Sequence, residues 1–423
     1  TLSVGGIIRA VYSSSNGLEK RPKLRFPGFD EPYRTTPLGE IASLVNRTDP
    51  KSNAPIMMLS AGNGFIMQSE KYSRDNAGQS LKKYILLKQG ELAYNHGASK
   101  AKQFGCCYEL TEPEARIPYV YHCFKINDHE YTPFIAMALN NAKMDKQLKR
   151  LVSSSVRMDG LLNISFEDYM SVTLHLPSST EQKHIADFLK KIDERIAAQE
   201  KLLASLKKYK RGLLRAYFVT DNWKSQGTWS KCKLGACCSK IGSGKTPKGG
   251  SSVYANQGIM FLRSQNVLWG TLDISEVSFI DEATNSTMQS SEVRFGDVLL
   301  NITGASIGRS CIYTSNDRAN VNQHVCIIRL SQESKERLLP EFLLQQILSD
   351  RIQQQVMDCQ NGGSREGLNF QQIADFNIVI PEMEEQRKIC GMLKAFDQKL
   401  CNEEISLKAL FSLRTSLMQQ LFI

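Results

Sequence analysis

The stretch "SKIGSGKTPKGG", Ser239 to Gly250, holds the residue types that grip phosphate: closely spaced glycines, then Lys245 and Thr246. Further on, "VSFIDEAT" ends an apolar run in Asp281-Glu282, as an acidic strand that holds magnesium would. Together they raise the chemistry of nucleotide hydrolysis. A P-loop needs G-x-x-x-x-G-K-[ST] between a strand and a helix, so that successive amides and the helix N-terminus face the phosphates. Here Ser239 stands where the first glycine belongs, and Pro247 follows Thr246 at once. Lys248-Gly249-Gly250-Ser251 then offers no helix to carry a dipole. The acidic pair also follows too soon for the usual intervening elements, and Asp281-Glu282 reads better as a strand end and helix start. What remains is a basic loop, with charge from Lys240, Lys245 and Lys248 and hydroxyls from Ser243 and Thr246. Such groups suit the phosphates of DNA.

Other chemistry is sparse. Eleven cysteines form no C-x-x-C. Cys106-Cys107 and Cys237-Cys238 are adjacent pairs, awkward both for a mutual disulfide and for shared zinc. They read as small buried hydrophobes in a reducing compartment. The six histidines are scattered, with none at metal-ligand spacing; His184 and His324 read as ordinary helix and strand residues. No metal site is expected.

The chain of 423 residues is too long for one ordinary core. It is 41% hydrophobic and 23% charged, the composition of a soluble globular protein. A net charge of +10 favours a polyanionic partner. No apolar run is long enough for a transmembrane helix, so no membrane association is expected. The opening "TLSVGGIIRAVYSSSNG" lacks the basic start and apolar core of a signal peptide.

The elements that must carry the basic loop emerge from self-comparison. Leu176 to Phe218 aligns without a gap onto Ile380 to Phe422, setting Pro177 on Pro381, Gln182 on Gln386, Asp193 on Asp397 and Phe218 on Phe422. Weaker echoes lie upstream: "QGELAYNHGAS" against "FGDVLLNITGAS", and "LNIS" against "LNFQ". The chain is therefore a duplicated unit, each copy a mixed domain followed by a long helix. Ser178-x-x-Glu181 is a capping-box pattern, and Glu382, Glu384 and Glu385 favour the second start. About forty residues without proline give roughly 60 Å of helix.

Apolar residues recur with a heptad seam: Ile185, Leu189, Ile192, Ile196, Leu203, Leu206, Leu213 and Tyr217, matched by Ile389, Leu393, Phe396, Leu400, Leu407, Leu410, Leu417 and Leu421. This predicts a coiled coil. The seams break at Gln199 and Lys210, and at Glu403 and Arg414. A parallel pairing would set Lys210 against Arg414, two cations in one seam. An antiparallel pairing with Lys210 opposite Glu403 and Gln199 opposite Arg414 avoids unpaired buried charge. That register joins Ile196 to Leu417, Leu203 to Leu410, Leu206 to Leu407 and Leu213 to Leu400. The expected role is a rigid spacer.

The globular parts read as short strands with turns, such as "GIMFLRSQNV", "GDVLLNI" and "HVCIIRL", plus amphipathic helices such as "PEFLLQQILSDRIQQQV". The fold class expected is α+β. At strand ends of the second copy stand Arg263, Ser264, Gln265 and Asn266; Asn301 and Arg309; and Asn322, Gln323 and His324. Arg, Gln and Asn can bond guanine or adenine edges in pairs. The first copy offers Asn63, Tyr94, Asn95, His96, Ser99, Lys100 and Lys102. Two domains that share a frame and differ in these residues would suit two different DNA sequences.

At this point the chain resembles the specificity (S) subunit of type I restriction-modification systems, the HsdS family, over nearly its full length. The resemblance rests on "LRFPGF", "PLGEI", "GELAYN" and "IPYVYHCFK" in the first copy. In the second it rests on "KLGACCSKIGSGKTP", "FLRSQNV", "GDVLLNITGASIGR" and "NVNQHVCIIRL", with both "LP/IP…EQ…I" helix starts. It implies an N-terminal extension (1–28), a first target recognition domain (29–178), a central spacer helix (179–220), a second recognition domain (221–381) and a C-terminal spacer helix (382–423). The two domains would stand in tandem, separated by the long antiparallel helices, with pseudo-two-fold symmetry. Each would read one half of a bipartite, asymmetric target in double-stranded DNA. The helices would dock two modification (methyltransferase) subunits, and restriction subunits would complete the complex in a bacterial or archaeal cytoplasm.

The resemblance implies no cofactor in this chain: S-adenosylmethionine, ATP and Mg2+ would be bound by partner subunits, which would carry adenine methylation and ATP-dependent cleavage. In agreement, the chain has no N-P-P-[FY] or D-P-P-[FY] run. On residues alone a coiled-coil scaffold without nucleic acid, or a P-loop hydrolase, stays open. The scaffold predicts no salt-sensitive DNA binding, and the hydrolase predicts ATP turnover lost with Lys245→Ala.

Overall fold

The computed structural model describes residues 8–10, 20–71, 78–97, 99, 102–152, 162–218, 229–360 and 367–423. The chain forms two compact units, Thr1–Gln199 with Ser406–Ile423, and Glu200–Ile405. The long helices are Ser179–Phe218 and Met383–Leu421, and each begins in the unit that precedes it and ends in the other.

In the first unit an antiparallel sheet runs in the order Ala42–Leu44, His122–Ile126, Leu92–Asn95, Cys106–Glu109. Its strands are short and apolar. They pack Leu92, Tyr94, Phe124 and Ile126 into one core with Phe134, Ile135 and Ala138 of the helix Thr132–Leu139. The same core takes in Ile185 and Leu189 of the first long helix and Leu417 and Leu421 of the second. Each such side chain, fully buried, contributes about 1.5–3 kcal/mol. A smaller cluster, including Met57, Leu59, Leu87, Ala115 and Ile117, fills the strand pairs Met57–Ser60/Gly64–Met67 and Ile85–Lys88/Glu114–Ile117.

The second unit repeats the sheet in the same order: Cys238–Ser243, Val325–Leu330, Val298–Asn301, Ser310–Ile312. The strand pair at the base of each unit is also repeated. Leu176 lies opposite Arg34 in one, and Ile380 opposite Ser230 in the other. The second unit adds a mixed sheet, Ser278–Ile280, Ile259–Leu262, Ala319–Val321, Glu292–Val293, whose middle pair is parallel. In the first unit a parallel bridge between Ile56 and Arg116 links the corresponding strand pairs.

The duplicated "EQ" at each helix start has a physical role. Gln182 and Gln386 are both fully buried. Gln182 accepts from the Tyr131 amide at 2.9 Å and donates to the Pro177 carbonyl at 3.0 Å. Gln386 accepts from the Leu339 amide at 2.9 Å and donates to the Pro381 carbonyl at 2.8 Å. Each glutamine thus ties the start of its long helix to the segment entering another helix of the same unit, satisfying buried backbone groups that would otherwise be costly. The capping box is only half formed: Ser178 Oγ accepts from the Glu181 amide at 3.4 Å. The Glu181 carboxylate is committed elsewhere, to a bidentate, buried pair with Arg25 at 2.8 and 2.7 Å.

Within each unit the two helix segments run antiparallel, as the seam analysis requires, but the expected register is wrong. In the first unit Arg414 pairs with Asp193, with Nη2 to Oδ2 at 3.0 Å, instead of lying opposite Gln199. In the second, Lys210 pairs with Asp397 rather than Glu403, and Lys207 with Glu404 at 2.7 Å. Tyr209 stacks on Phe396 beside them, ring centroids 5.3 Å apart. The displacement is close to one heptad. It arises because Lys and Arg stems cross the apolar seam and place their charges on carboxylates at its flank. Matching only the seam positions missed those flanking partners. Ile196, Leu203 and Leu417 are buried, while Leu206, Leu213, Leu400, Leu407 and Leu410 are half-buried.

Candidate nucleic-acid interface

In the second unit the run from Ser239 to Gly250 is a strand that ends in a tight crossing. Cys238–Ser243 pairs with Val325–Leu330, and the Gly244 amide then donates to the Asn322 carbonyl at 3.1 Å. A side chain at Gly244 would place its Cβ 1.6 Å from the Val321 carbonyl oxygen. The glycine is there so that two backbones can pass, which leaves no amide cradle for a nucleotide. A turn follows at Pro247–Gly250 and leads into a single 3-10 turn, Gly250–Val253, rather than an α-helix. Asp281 caps the short helix Glu282–Ser286 by accepting from the Thr284 amide at 2.7 Å, so the acidic pair is structural.

Four loops meet around this crossing. Asn301 donates to the carbonyls of Ser264 at 2.8 Å and Val267 at 3.3 Å, joining the loop after Ile259–Leu262 to the end of Val298–Asn301. The Asn322 amide donates to Leu262 at 3.1 Å, and its side chain accepts from the His324 amide at 3.1 Å. Ile302 donates to the His324 carbonyl at 3.0 Å. Asn266 accepts from the Arg263 amide and donates to Asp273, both at 2.9 Å.

Asn266, Asn301 and Asn322 are buried and hold neighbouring loops together, which corrects the expectation that they contact bases. Lys240 is half-buried, donates to the Ser290 carbonyl, and is held below its ordinary pKa by burial and by Arg329 beside it.

The side chains left facing outward are Lys245, Thr246, Lys248, Gln265 and Gln323, all exposed, with Arg263, Ser264, Arg309 and His324 half-buried. Arg263 lies over the Tyr254 ring at 5.5 Å. Thr246, Gln323, His324 and Thr303 form a continuous polar chain. The Thr246 hydroxyl bonds Gln323 Oε1, Gln323 Nε2 lies 3.1 Å from His324 Nε2, and His324 Nδ1 lies 2.6 Å from Thr303 Oγ1. Sequence reasoning missed Trp269, which stands 56% exposed at the turn between Leu268 and Thr271. The only sequence signal was an aromatic residue before Gly270, a glycine at φ +87°.

The first unit is organised differently. Tyr94 is buried, stacks on Tyr169 at 3.9 Å and donates to the Phe104 carbonyl at 2.6 Å; burial raises its phenol above the ordinary range. His96 is buried against His122, with centroids 4.9 Å apart. Both expectations of DNA contact are therefore corrected: these rings build the core under the loop. Asn95 accepts from the Gly97 amide at 2.9 Å. Ser99 and Lys102 close a turn on each other, and Lys102 Nζ donates to the Asn140 carbonyl at 2.7 Å. Lys100 lies outside the described residues.

Asn63 is exposed at the tip of the hairpin that precedes Gly64. Asn63 and Lys102 both line a cleft of about 710 Å³, walled also by Phe65, Tyr108, Asn140, Phe411 and Arg414. Among the described residues no group of His, Cys, Asp and Glu could hold a metal ion. No helix among them is long and apolar enough to cross a membrane. Cys106 and Cys107 are buried free thiols, and burial pushes that of Cys106 up to about 11.

The sequence matches the family described as "Type I restriction modification DNA specificity domain" twice, over residues 82–208 and 227–409. The chain belongs to this family. Relatives within or beside it include the specificity subunit of type I restriction enzyme MjaVIII from Methanocaldococcus jannaschii, 22% identical over 60% of this chain and 61% of its own length. The specificity subunit of type I restriction enzyme EcoBI from Escherichia coli is 26% identical over 56% of this chain. The match spans 53% of that relative's length.

Among solved structures, the S subunit of a type I restriction-modification system from M. genitalium superposes with a TM-score of 0.58 at 15% identity, covering 95% of this chain and 99% of that one. A chain from a study of complex assembly and conformational transition in the type I R-M system also has a TM-score of 0.58, at 14% identity, covering 93% and 98%. The fold of the specificity family, two tandem mixed domains with long helices, is thus the fold of this chain.

Proposed function

We propose that this chain is the DNA-specificity subunit of a type I restriction-modification complex, working in a bacterial or archaeal cytoplasm. Each mixed domain reads one half of a bipartite, asymmetric target in double-stranded DNA. The paired helices set the spacer between the halves and dock two modification subunits, with restriction subunits joining the larger assembly. The chain itself is non-catalytic. S-adenosylmethionine, ATP and Mg2+ belong to partner subunits, which carry adenine methylation and ATP-dependent cleavage.

One observation carries this reading: the same four-stranded frame and base strand pair occur twice, while many of the polar residues described at the sheet ends differ between the two units. A repeated frame with unlike tips is what two half-site readers need. The basic outward set Lys245, Lys248 and Arg309 supplies phosphate contacts for the second half.

Mapping methylated adenines in the host genome tests the proposal. A motif of two unlike halves separated by a fixed gap is expected; a single contiguous motif, or none that depends on this chain, overturns it. Replacing residues 229–380 by the matching part of a relative changes one half of the motif and leaves the other. Lys245→Ala lowers affinity for every sequence alike and reduces the salt slope by about one.

A further inference from the structure

We infer that Gln323 reads an adenine edge in the major groove of the half-site bound by the second unit. This rests on the reading of the chain as a DNA-specificity subunit and deepens it. Gln323 is exposed in the turn between Ala319–Val321 and Val325–Leu330, and its backbone is held from both sides. Next to it, Asn322 accepts from the His324 amide at 3.1 Å, and the His324 carbonyl accepts from Ile302 at 3.0 Å. A mobile glutamine reads bases poorly, because ordering its side chain costs rotamer entropy. Here that ordering is built in before DNA arrives.

The side-chain bonds determine what the amide has left to offer. Its oxygen accepts from the Thr246 hydroxyl, and its nitrogen lies 3.1 Å from His324 Nε2. His324 Nδ1 is in turn bonded to Thr303 Oγ1 at 2.6 Å, which anchors the ring. With these two bonds made, the amide retains one N–H and one oxygen lone pair. Turning the amide over, so that nitrogen faces Thr246 and oxygen faces His324, leaves the same remainder.

One donor beside one acceptor matches adenine, which presents N6–H and N7 side by side in the major groove. Guanine presents two acceptors there, while cytosine and thymine present a single polar group each, so none can take both bonds. The adenine read in this way stays stacked in the duplex. It is therefore distinct from the adenine to be methylated, which must leave the stack to reach a modification subunit.

The test uses the full chain in its assembled complex with the modification subunits. Binding is selected from a duplex pool randomised at every position and repeated with 7-deazaadenine, which lacks the N7 acceptor. Wild type is expected to yield a bipartite motif in which one unmethylated adenine, in the half read by the second unit, is weakened about tenfold to a hundredfold by 7-deazaadenine. Gln323→Ala loses preference at that base pair alone and becomes indifferent to the 7-deaza change. Thr246→Val, which frees the amide to rotate, relaxes the same position in part. Lys245→Ala leaves the motif intact and weakens all sequences.

A bipartite motif that Gln323→Ala and Thr246→Val leave unchanged at every position overturns the inference while the proposed function stands. So does a base pair that Gln323→Ala relaxes but 7-deazaadenine does not disturb. A wild-type complex with no sequence preference overturns both.

Discussion

Replacing Gln182 by leucine removes the buried amide that joins the first long helix to the helix Thr132–Leu139, and it strands two backbone groups. The Tyr131 amide loses its acceptor at 2.9 Å and the Pro177 carbonyl loses a donor at 3.0 Å. A buried group left unsatisfied costs about 1–3 kcal/mol, so the pair costs about 2–6 kcal/mol. That is a large part of the 5–15 kcal/mol typical of a folded domain. Gln386→Leu is expected to do the same through the Leu339 amide and the Pro381 carbonyl.

Substitution by glutamate separates the two sites. Gln182 Nε2 lies 2.6 Å from Glu130 Oε2, so Gln182→Glu sets one carboxylate against another. The other acceptor at Gln386 Nε2 is the Arg337 carbonyl at 2.7 Å, a neutral group where Gln182 faces a carboxylate. Gln182→Glu is therefore the more damaging of the two, and the gap narrows as pH falls, because burial and the facing like charge favour protonation of the introduced carboxyl, which removes the repulsion. Urea unfolding gives the magnitudes, and hydrogen exchange at the Tyr131 and Leu339 amides localises them. A loss below about 1 kcal/mol for Gln182→Leu, with undiminished protection of the Tyr131 amide, would refute the reasoning.

Two further outcomes follow from single contacts. Gly244→Ala drives a methyl to 1.6 Å from the Val321 carbonyl and is expected to cost more than about 3 kcal/mol in thermal unfolding. Gly242→Ala, whose nearest neighbour is Lys240 Cε at 3.9 Å, serves as the tolerant control; equal effects would contradict the backbone crossing. Lys210→Asp sets like charge against Asp397 in a partly exposed pair and is expected to cost about 1 kcal/mol. Asp397→Lys restores most of it in a double-mutant cycle, whereas rescue by Glu403→Lys would reinstate the register expected from the seam.

How much was legible in the amino-acid sequence depends on the range of the interactions involved. Periodicity and repetition are local, so the two long helices, their antiparallel sense and the doubled mixed domain could be read from residues alone. The rejection of a P-loop was equally local: Ser239 in place of glycine and Pro247 after Thr246 are visible in one line of text. The "EQ" repeat was visible too, but only as a repeat. Its function depends on Tyr131 and Leu339, which sit far from each glutamine in the chain.

The candidate interface shows the limit more sharply. Asn301, Gln323, Asn266 and Lys245 carry similar chemistry and all stand at strand ends, so the sequence could nominate them together but not sort them. Folding sorted them. Asn301, Asn266 and Asn322 turn inward because crossing loops leave backbone carbonyls and amides that must be satisfied. Lys245 and Gln323 face outward because Gly244 lets the two backbones cross beneath them. The helix register was likewise a tertiary decision: Asp193 and Asp397 lie off the apolar seam, and only the packed helices bring them within reach of Arg414 and Lys210. The sequence by itself determined which elements form and that they form twice. Which polar groups are occupied by the fold and which remain for DNA was decided by the packing of segments distant in the chain, because burial leaves no polar group unpaired without cost.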